Sequence, residues 1–201
     1  MAPSSSARVL EALRAAGLVV ADGTDAAPER MEGARVARLL REGGQRAVGL
    51  VPADDGVAVP ALAILLGGVL ANISGRPVGL VDAAGSWPGA PGSRAPATTA
   101  EPLLDTSWIR EGLAVLQPFA FDPGVALAPL QASLARAPAD FAHLVVDLTG
   151  FDELGLLPAA MRLLDGSLLV ARCGRTTRRQ VRRWLEAAPA GRALGVLLIG
   201  T

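Results

Sequence analysis

The feature that most restricts the fold of this chain is a series of short apolar runs separated by segments with helical periodicity. The runs fit buried strands and lie at residues 47–51, 77–82, 112–116, 143–148, 167–171 and 193–199. Helices are predicted between them, at about 59–72, 126–137 and 150–164, and from Thr176 or Thr177 to about Ala188. Strands that alternate with helices predict a three-layer α/β fold, with a mostly parallel sheet and helices on both faces.

The N-terminal part of the chain predicts a short helical extension before this α/β domain. Residues 5–17 fit an amphipathic helix and 21–28 a polar linker, so we assign residues 1–28 to the extension. A second helix at 29–42 begins the α/β domain, which we assign to residues 29–201. Within it, residues 83–100 are rich in Pro, Gly, Ala, Ser and Thr around Trp87, which predicts a long surface loop.

The twenty residues from Gly56 to Gly75 carry no charge, and that length would suffice to cross a bilayer. Pro60 and Asn72 interrupt the stretch, and predicted strands flank it on both sides. This context favours a helix buried against the sheet over a membrane span. The N-terminus lacks the pattern of a signal peptide, so we expect a cytoplasmic protein.

The composition excludes much of the chemistry open to such a fold. All 19 basic residues are arginine, and the chain contains neither lysine nor tyrosine. A P-loop lysine, a Schiff-base lysine and tyrosine phosphorylation of this chain are therefore excluded. With one cysteine, Cys173, and one histidine, His143, we expect no internal disulfide and no metal site. The 19 acidic residues balance the basic ones, which argues against nucleic acid as a partner.

In a parallel α/β sheet, ligands bind beyond the carboxyl ends of the strands. The segments expected there are residues 52–60, Asp82 and residues 147–150, which begin with Asp147. Either aspartate would belong to a ligand site or would accept backbone N–H bonds in the turn that follows it. His143 fits a packing or capping role better than that of a base, and Cys173 is interpreted as a small apolar filler.

Five segments of the chain resemble, in order and spacing, the ParA/MinD-type P-loop ATPases. They are the loop and apolar helix after the first strand, GRPVGLVDA, FAHLVVDLTG, DGSLLVARCGRTTRRQVRRWLE and ALGVLLIGT. The resemblance covers about residues 29–201. Within that superfamily the chain is most similar to the cytoplasmic kinase-like domain of bacterial exopolysaccharide and capsule export systems. It implies a P-loop NTPase-like fold, with Asp147 at the position of the Walker B aspartate and Asp82 in the second acidic motif.

The loop after the first strand departs from the family pattern at the residues that bind phosphate. When Gly56 is placed on the first loop glycine, Val59 takes the place of the lysine and Pro60 that of the Ser/Thr. Neither side chain offers a charge or a hydroxyl. Asp54 and Asp55 add negative charge where phosphates would lie. These positions are therefore interpreted as remnants of a nucleotide site, and we expect no cofactor and no ATP hydrolysis.

The segment after the fifth strand predicts a helix with a basic surface. Its residues, here called the arginine ridge, are Arg175, Arg178, Arg179, Arg182 and Arg183. Helical spacing places them beside an apolar side formed by Val181, Trp184 and Leu185. The ridge is either a solvated outer face or a docking face for an acidic partner or anionic lipid headgroups.

Together these features predict a non-catalytic pseudo-ATPase that serves as an interaction or regulatory subunit. The resemblance implies a role in polysaccharide synthesis or export, at the inner face of the membrane. The partners expected are an active paralogue, the tail of a membrane chain-length regulator, or a second copy of the chain. The helices at 5–17 and 29–42 and the arginine ridge are the candidate contact surfaces.

Two other hypotheses remain open from the sequence. One is a ParA/MinD-type ATPase switch for spatial positioning, in which Arg76 or Arg175 replaces the missing lysine. The other is a structural subunit whose nucleotide pocket is closed by apolar side chains.

Overall fold

The computed structural model describes residues 27–87, 104–118 and 126–200. The predicted helix at 5–17 and most of the loop predicted at 83–100 lie outside these ranges, as does nearly all of the N-terminal extension. The helices described are α1 (Ala27–Glu42), α2 (Val59–Ser74), α3 (Leu127–Asp140), α4 (Leu157–Leu163) and α5 (Arg178–Ala187). The strands described are β1 (Ala47–Pro52), β2 (Val78–Asp82), β3 (Leu104–Arg110), β4 (Leu113–Pro118), β5 (His143–Asp147), β6 (Gly166–Arg172) and β7 (Ala193–Ile199).

The seven strands of the described residues form one sheet in the order β3-β4-β2-β5-β1-β6-β7. All neighbouring pairs are parallel except β3 and β4, which are antiparallel. Helices α1 and α2 contribute to the apolar core on one face of the sheet, and α3, α4 and α5 contribute to the core on the other. The three-layer, mostly parallel α/β fold predicted from the sequence is confirmed.

Helix α2 is the uncharged segment whose length raised the question of a membrane span. It runs for 16 residues, begins with Pro60 in its first turn and ends at Gly75, whose φ of 62° is in the left-handed region. Its buried face packs in the core with β1, β2 and β4. None of the helices that the structure describes has the length and apolarity needed to cross a membrane.

The structure differs from the sequence prediction in two places. Strand β3 was not predicted, because it is an antiparallel edge strand whose polar residues interrupt any apolar run. The helix predicted over 150–164 begins only at Leu157. Gly150 and Gly155 have φ angles of 83° and 67°, and turns occupy the residues between them, so the helix cannot start earlier.

We expect Gly67→Val to destabilise the fold by about 1–3 kcal/mol, because α2 contacts the sheet closely at this residue. A Cβ atom at Gly67 would lie 2.5 Å from Leu80 Cδ2 and 3.0 Å from Leu113 Cδ1. The measurement is urea denaturation followed by circular dichroism. Asn72→Val on an exposed position of the same helix is the control and should change stability by less than about 0.5 kcal/mol. Equal losses in the two variants would contradict the close contact.

Candidate functional site

The sheet brings the predicted site segments together at the carboxyl ends of its central strands. Strands β2 and β5 are neighbours, and Asp82 lies in register with Asp147 at their carboxyl ends. Strand β1 pairs with the other side of β5, so the loop after β1 begins beside the same aspartates. The structure therefore groups these three segments as the sequence predicts, and Asp82 and Asp147 are called the carboxylate pair below.

The loop after β1 is occupied by an ion pair from within the chain. Arg172, at the end of β6, places its Nη2 atom 2.5 Å from Asp54 Oδ1, and the same carboxylate oxygen accepts the Gly56 N–H at 3.0 Å. The Arg172 guanidinium lies directly against the loop, since a Cβ atom on Gly56 would be 2.6 Å from its Nη1. Asp55 and Gly56 themselves are exposed. The guanidinium thus fills the space over the glycine of the loop.

The first turn of α2 supplies neither a charged side chain for a phosphate nor a hydroxyl for a metal. Val59 is fully buried, and Pro60 has no N–H. Ala58, which precedes the helix, makes no side-chain capping bond. A magnesium-nucleotide needs a cation for its terminal phosphates and a hydroxyl for its metal, so the residues of this loop do not fit it. Among the described residues, no group of three potential metal ligands is found.

The positions of the arginines bear on the hypothesis in which an arginine replaces the missing lysine. Arg76 precedes β2 and so lies toward the opposite edge of the sheet from the loop after β1. Arg175 is exposed in the turn after β6. The guanidinium that lies against the loop is that of Arg172, the last residue of β6. Arg172 was not predicted for this role, because its place directly after the apolar run 167–171 does not show that it reaches the loop after β1.

Asp147 accepts hydrogen bonds on both of its carboxylate oxygens. The indole Nε1–H of Trp87 donates to Oδ2 at 2.8 Å, and the N–H and hydroxyl of Thr149 donate to Oδ1 at 2.8 and 2.6 Å. Trp87 is only 2% exposed, so its ring also shields the carboxylate from water. The backbone N–H bond anticipated for this aspartate is present, and the indole is an additional donor.

Asp82 is bound by the same segment that carries Trp87. Its Oδ1 accepts the N–H of Ser86 at 3.0 Å and the Ser86 hydroxyl at 3.3 Å. Its Oδ2 accepts the backbone N–H of Trp87 at 2.9 Å and Nε2 of Gln117 at 3.0 Å. The chain after β2 therefore folds back over the sheet edge, so that Trp87 contacts Asp82 through its backbone and Asp147 through its side chain.

Burial controls the protonation of the carboxylate pair. Loss of solvent raises the pKa of Asp82, and the hydrogen bonds from Gln117, Trp87 and Ser86 oppose that rise. Burial also raises the pKa of Asp147, and the charge of Asp82 adds to the rise. Neither carboxylate forms an ion pair with any described residue. Hydrogen-bond donors, rather than a cation, therefore stabilise their negative charge.

The partners of the carboxylate pair were largely missed from the sequence. Trp87 was placed in a surface loop, although a large apolar residue within a Gly- and Pro-rich stretch is a signal that something there is buried. Gln117 lies one residue beyond the strand predicted at 112–116 and reaches Asp82 from β4, a contact between strands that chain order does not reveal. His143 packs as expected: it is buried, its Nδ1 lies 3.0 Å from the Gln45 carbonyl, and burial lowers its pKa.

The arginine ridge lies on the exposed surface of α5 and of the turn before it. Thr177 caps the helix in a capping box with Gln180, and Arg183 pairs with Asp152 at 2.9 Å. Within the described residues the other four arginines of the ridge form no ion pair. Two expectations were wrong: Leu185 is 52% exposed rather than part of the apolar side, and Cys173 is exposed rather than a core filler.

We expect Trp87→Phe to lower the free energy of unfolding by about 1–3 kcal/mol, because a buried carboxylate loses a hydrogen-bond donor while the aromatic volume is largely kept. Urea denaturation followed by far-ultraviolet circular dichroism measures the loss. The control is Trp108→Phe, since Trp108 is 47% exposed and should tolerate the change. Combining Trp87→Phe with Asp147→Ala, which removes the acceptor, should cost less than the sum of the two single losses. Additive losses would contradict a direct contact.

The raised pKa of Asp147 predicts a contribution to the pH dependence of stability that an Asp147→Asn variant lacks. A carboxyl group whose pKa is higher in the folded protein binds its proton more tightly there, so its contribution to stability rises as the pH falls. The free energy of unfolding of the wild type, relative to Asp147→Asn, should therefore increase as the pH is lowered from neutral toward about 4. Urea denaturation of both proteins at a series of pH values measures the difference. A relative decrease on acidification would refute the raised pKa.

No protein-family model matches the sequence, and no curated protein is significantly similar to it. Solved structures do match. The BceF tyrosine kinase domain superposes with a TM-score of 0.66 at 15% identity, over 98% of this chain and 89% of that one. The kinase domain of the Escherichia coli tyrosine kinase ETK gives a TM-score of 0.57 at 17% identity, over 84% and 75% of the two chains.

A ParA family ATPase from Chlorobium tepidum superposes with a TM-score of 0.53 at 16% identity, over 78% of this chain and 73% of that one. At these identities the likeness concerns the fold. It confirms the resemblance drawn from the sequence at that level: this chain has the P-loop NTPase-like fold shared by bacterial tyrosine kinase domains and ParA-type ATPases.

Proposed function

We propose that this chain is a non-catalytic pseudo-ATPase that acts as an interaction or regulatory subunit of a bacterial exopolysaccharide or capsule synthesis or export system. The observation that carries the proposal is the 2.8 Å hydrogen bond from the Trp87 indole to Asp147. In the resembled family the aspartate at this position organises magnesium. Here its carboxylate is buried beneath a tryptophan of the same chain.

The loop after β1 supports the same conclusion independently. Arg172 and Asp54 form an ion pair against Gly56, in the place where the family binds phosphates. A nucleotide would have to separate that pair and would still find neither a lysine nor a Ser/Thr hydroxyl at Val59 and Pro60. The absence of tyrosine from the sequence also rules out autophosphorylation on tyrosine.

A subunit without its own chemistry would act through contacts. The proposed partners are an active paralogue or the cytoplasmic tail of a membrane chain-length regulator, with a homodimer as a further arrangement. The candidate surfaces are α1 and the arginine ridge, which is exposed and mostly unpaired within the described residues. The same arginines would favour contact with the inner face of a membrane. With balanced charge, nucleic acid is not proposed as a partner.

One observation favours a second candidate, an ATPase switch of the ParA/MinD type with atypical phosphate binding. The Nε atom of Arg172 is buried without a hydrogen-bond partner, so the guanidinium beside Gly56 retains a free donor. An arginine that contacted phosphate from this position would partly replace the missing lysine.

Isothermal titration calorimetry with ATP and magnesium tests the proposal directly. We expect no binding tighter than millimolar, because the site offers no free cation and its carboxylates are occupied. Micromolar affinity would overturn the pseudo-ATPase assignment. A phosphate-release assay on the same protein separates the two candidates, since steady turnover would support the ATPase switch. Arg172→Ala is the informative variant: loss of that turnover would assign the activity to this protein and not to a contaminant.

A further inference from the structure

The strand β7 forms an open edge of the sheet in the part of the chain that the structure describes. Its neighbour β6 is buried along almost its whole length, whereas every residue of β7 is partly or fully exposed. β7 runs for seven residues without a charge or a proline. Charged residues and prolines are the usual means by which proteins protect an open edge, so β7 lacks that protection.

After a register irregularity near Leu194, the side chains of β7 alternate between a covered and an uncovered face. Leu194, Leu197 and Ile199 pack against the core that contains α1 and α2. Val196 and Leu198 therefore point to the other face, the one on which α5 lies. They are 40% and 67% exposed, so α5 does not cover them.

Three contacts fix how α5 is turned about its axis. Trp184 is buried in the core beneath the helix. On one flank, Nε2 of Gln180 donates to the carbonyl of Ala53 after β1, and Arg183 pairs with Asp152 after β5. Because β1 and β5 lie toward the middle of the sheet, this flank faces inward and the opposite flank faces β7.

The flank of α5 that faces β7 carries an exposed leucine and two arginines. At 100° per residue, Leu185 and Arg178 lie about 100° and about 120° from Trp184, on the side opposite to Arg183. Arg182 follows at about 160°, next to Leu185 but toward the outer surface of the helix. All three are exposed, Leu185 to 52%. We call Val196, Leu198, Leu185, Arg178 and Arg182 the edge surface. It is an apolar strip bordered by positive charge along an open strand.

The backbone of β7 also offers free hydrogen-bonding groups to a partner. The Ile199 carbonyl accepts the Cys173 N–H and so points toward β6. Because these groups alternate in direction along a strand, those of Val196 and Leu198 point to the open edge. An extended peptide would pair with them, whereas a lipid surface has no matching ladder of donors and acceptors.

We propose that the edge surface binds an extended segment of a partner protein that combines acidic and apolar residues, added to β7 as a further strand. Its apolar side chains would cover Val196 and Leu198, and its carboxylates would approach Arg178 and Arg182. A second copy of this chain fits less well, because pairing two β7 strands about a two-fold axis would bring these arginines toward their own copies. This inference rests on the interaction role proposed above.

The test uses a fluorescein-labelled peptide of repeated Glu-Leu-Val-Glu units, which presents acidic and apolar side chains on both of its faces. Fluorescence anisotropy at low ionic strength measures its affinity for the full chain. Arg182→Glu should weaken binding about tenfold or more. The matched control is Arg179→Glu, which makes the same charge change on the other flank of α5 and should weaken binding less than about threefold.

A second pair of variants tests the backbone contact. Leu198→Pro removes an N–H from the open edge, whereas Leu198→Ala keeps it, so the proline variant should bind the peptide more weakly than the alanine variant. Circular dichroism checks that both variants remain folded. Equal binding by the two would overturn strand addition, as would equal affinity for a peptide with lysine in place of glutamate.

Other occupants of the edge surface would give different results. A dimer in analytical ultracentrifugation that Leu198→Pro dissociates would overturn the proposal in favour of a second copy. Binding to phosphatidylglycerol vesicles that Arg182→Glu abolishes, without peptide binding, would overturn it in favour of lipid. If the wild-type chain binds neither the peptide nor ATP, the edge-surface proposal is overturned and the proposed function is kept. If it binds ATP with micromolar affinity, the proposed function itself is overturned.

Discussion

The contact on which this site depends is the attachment of Trp87 to two buried carboxylates at once. Its backbone N–H bonds Asp82 and its indole N–H bonds Asp147, which lie in register on neighbouring strands. Two carboxylates buried this close repel one another and lose hydration, and both effects raise the pKa of Asp147. No described residue forms an ion pair with either carboxylate, so hydrogen bonds from Trp87 and its neighbouring donors stabilise this arrangement. The folded-back chain after β2 is thus a condition for keeping both aspartates.

At the neighbouring loop, a charged group also has a partner from within the chain: the positive guanidinium of Arg172 pairs with Asp54. In a site built for nucleotide, the cation, the hydroxyl and the carboxylates are left for the ligand and its metal. Here Asp54 forms an ion pair with the guanidinium that lies against Gly56, and the Trp87 indole donates a hydrogen bond to Asp147. A ligand would therefore have to break the Arg172–Asp54 ion pair and the Trp87–Asp147 hydrogen bond before it could contact these groups. The charged groups at both places are therefore paired or hydrogen-bonded within the chain.

The sequence was sufficient for the elements that depend on local pattern. The apolar runs of β1, β2, β5, β6 and β7 and the long apolar helix α2 are each recognisable from their own residues. The strand ends also placed Asp82 and Asp147 on one edge, because parallel strands share a direction. What the pattern missed depends on contacts between distant residues. Strand β3 is defined by its antiparallel partner, and Trp87 and Arg172 acquire their roles only where separate strand ends meet.

Because the charged groups at the carboxyl ends of the strands have internal partners, the surfaces left for a partner protein lie elsewhere, on α5 and β7. Helix α5 is fixed by Trp184 in the core, by Gln180 to the loop after β1 and by Arg183 to Asp152, so its remaining arginines have a defined orientation. The Gln180 bond joins α5 to Ala53, next to Asp54 and its ion pair with Arg172. A partner that bound the flank of α5 beside β7 would thus act on a helix already bonded to the loop after β1. In the proposed interaction role, the Arg172–Asp54 ion pair would hold the loop to which α5 is bonded and would thereby support the position of the binding surface.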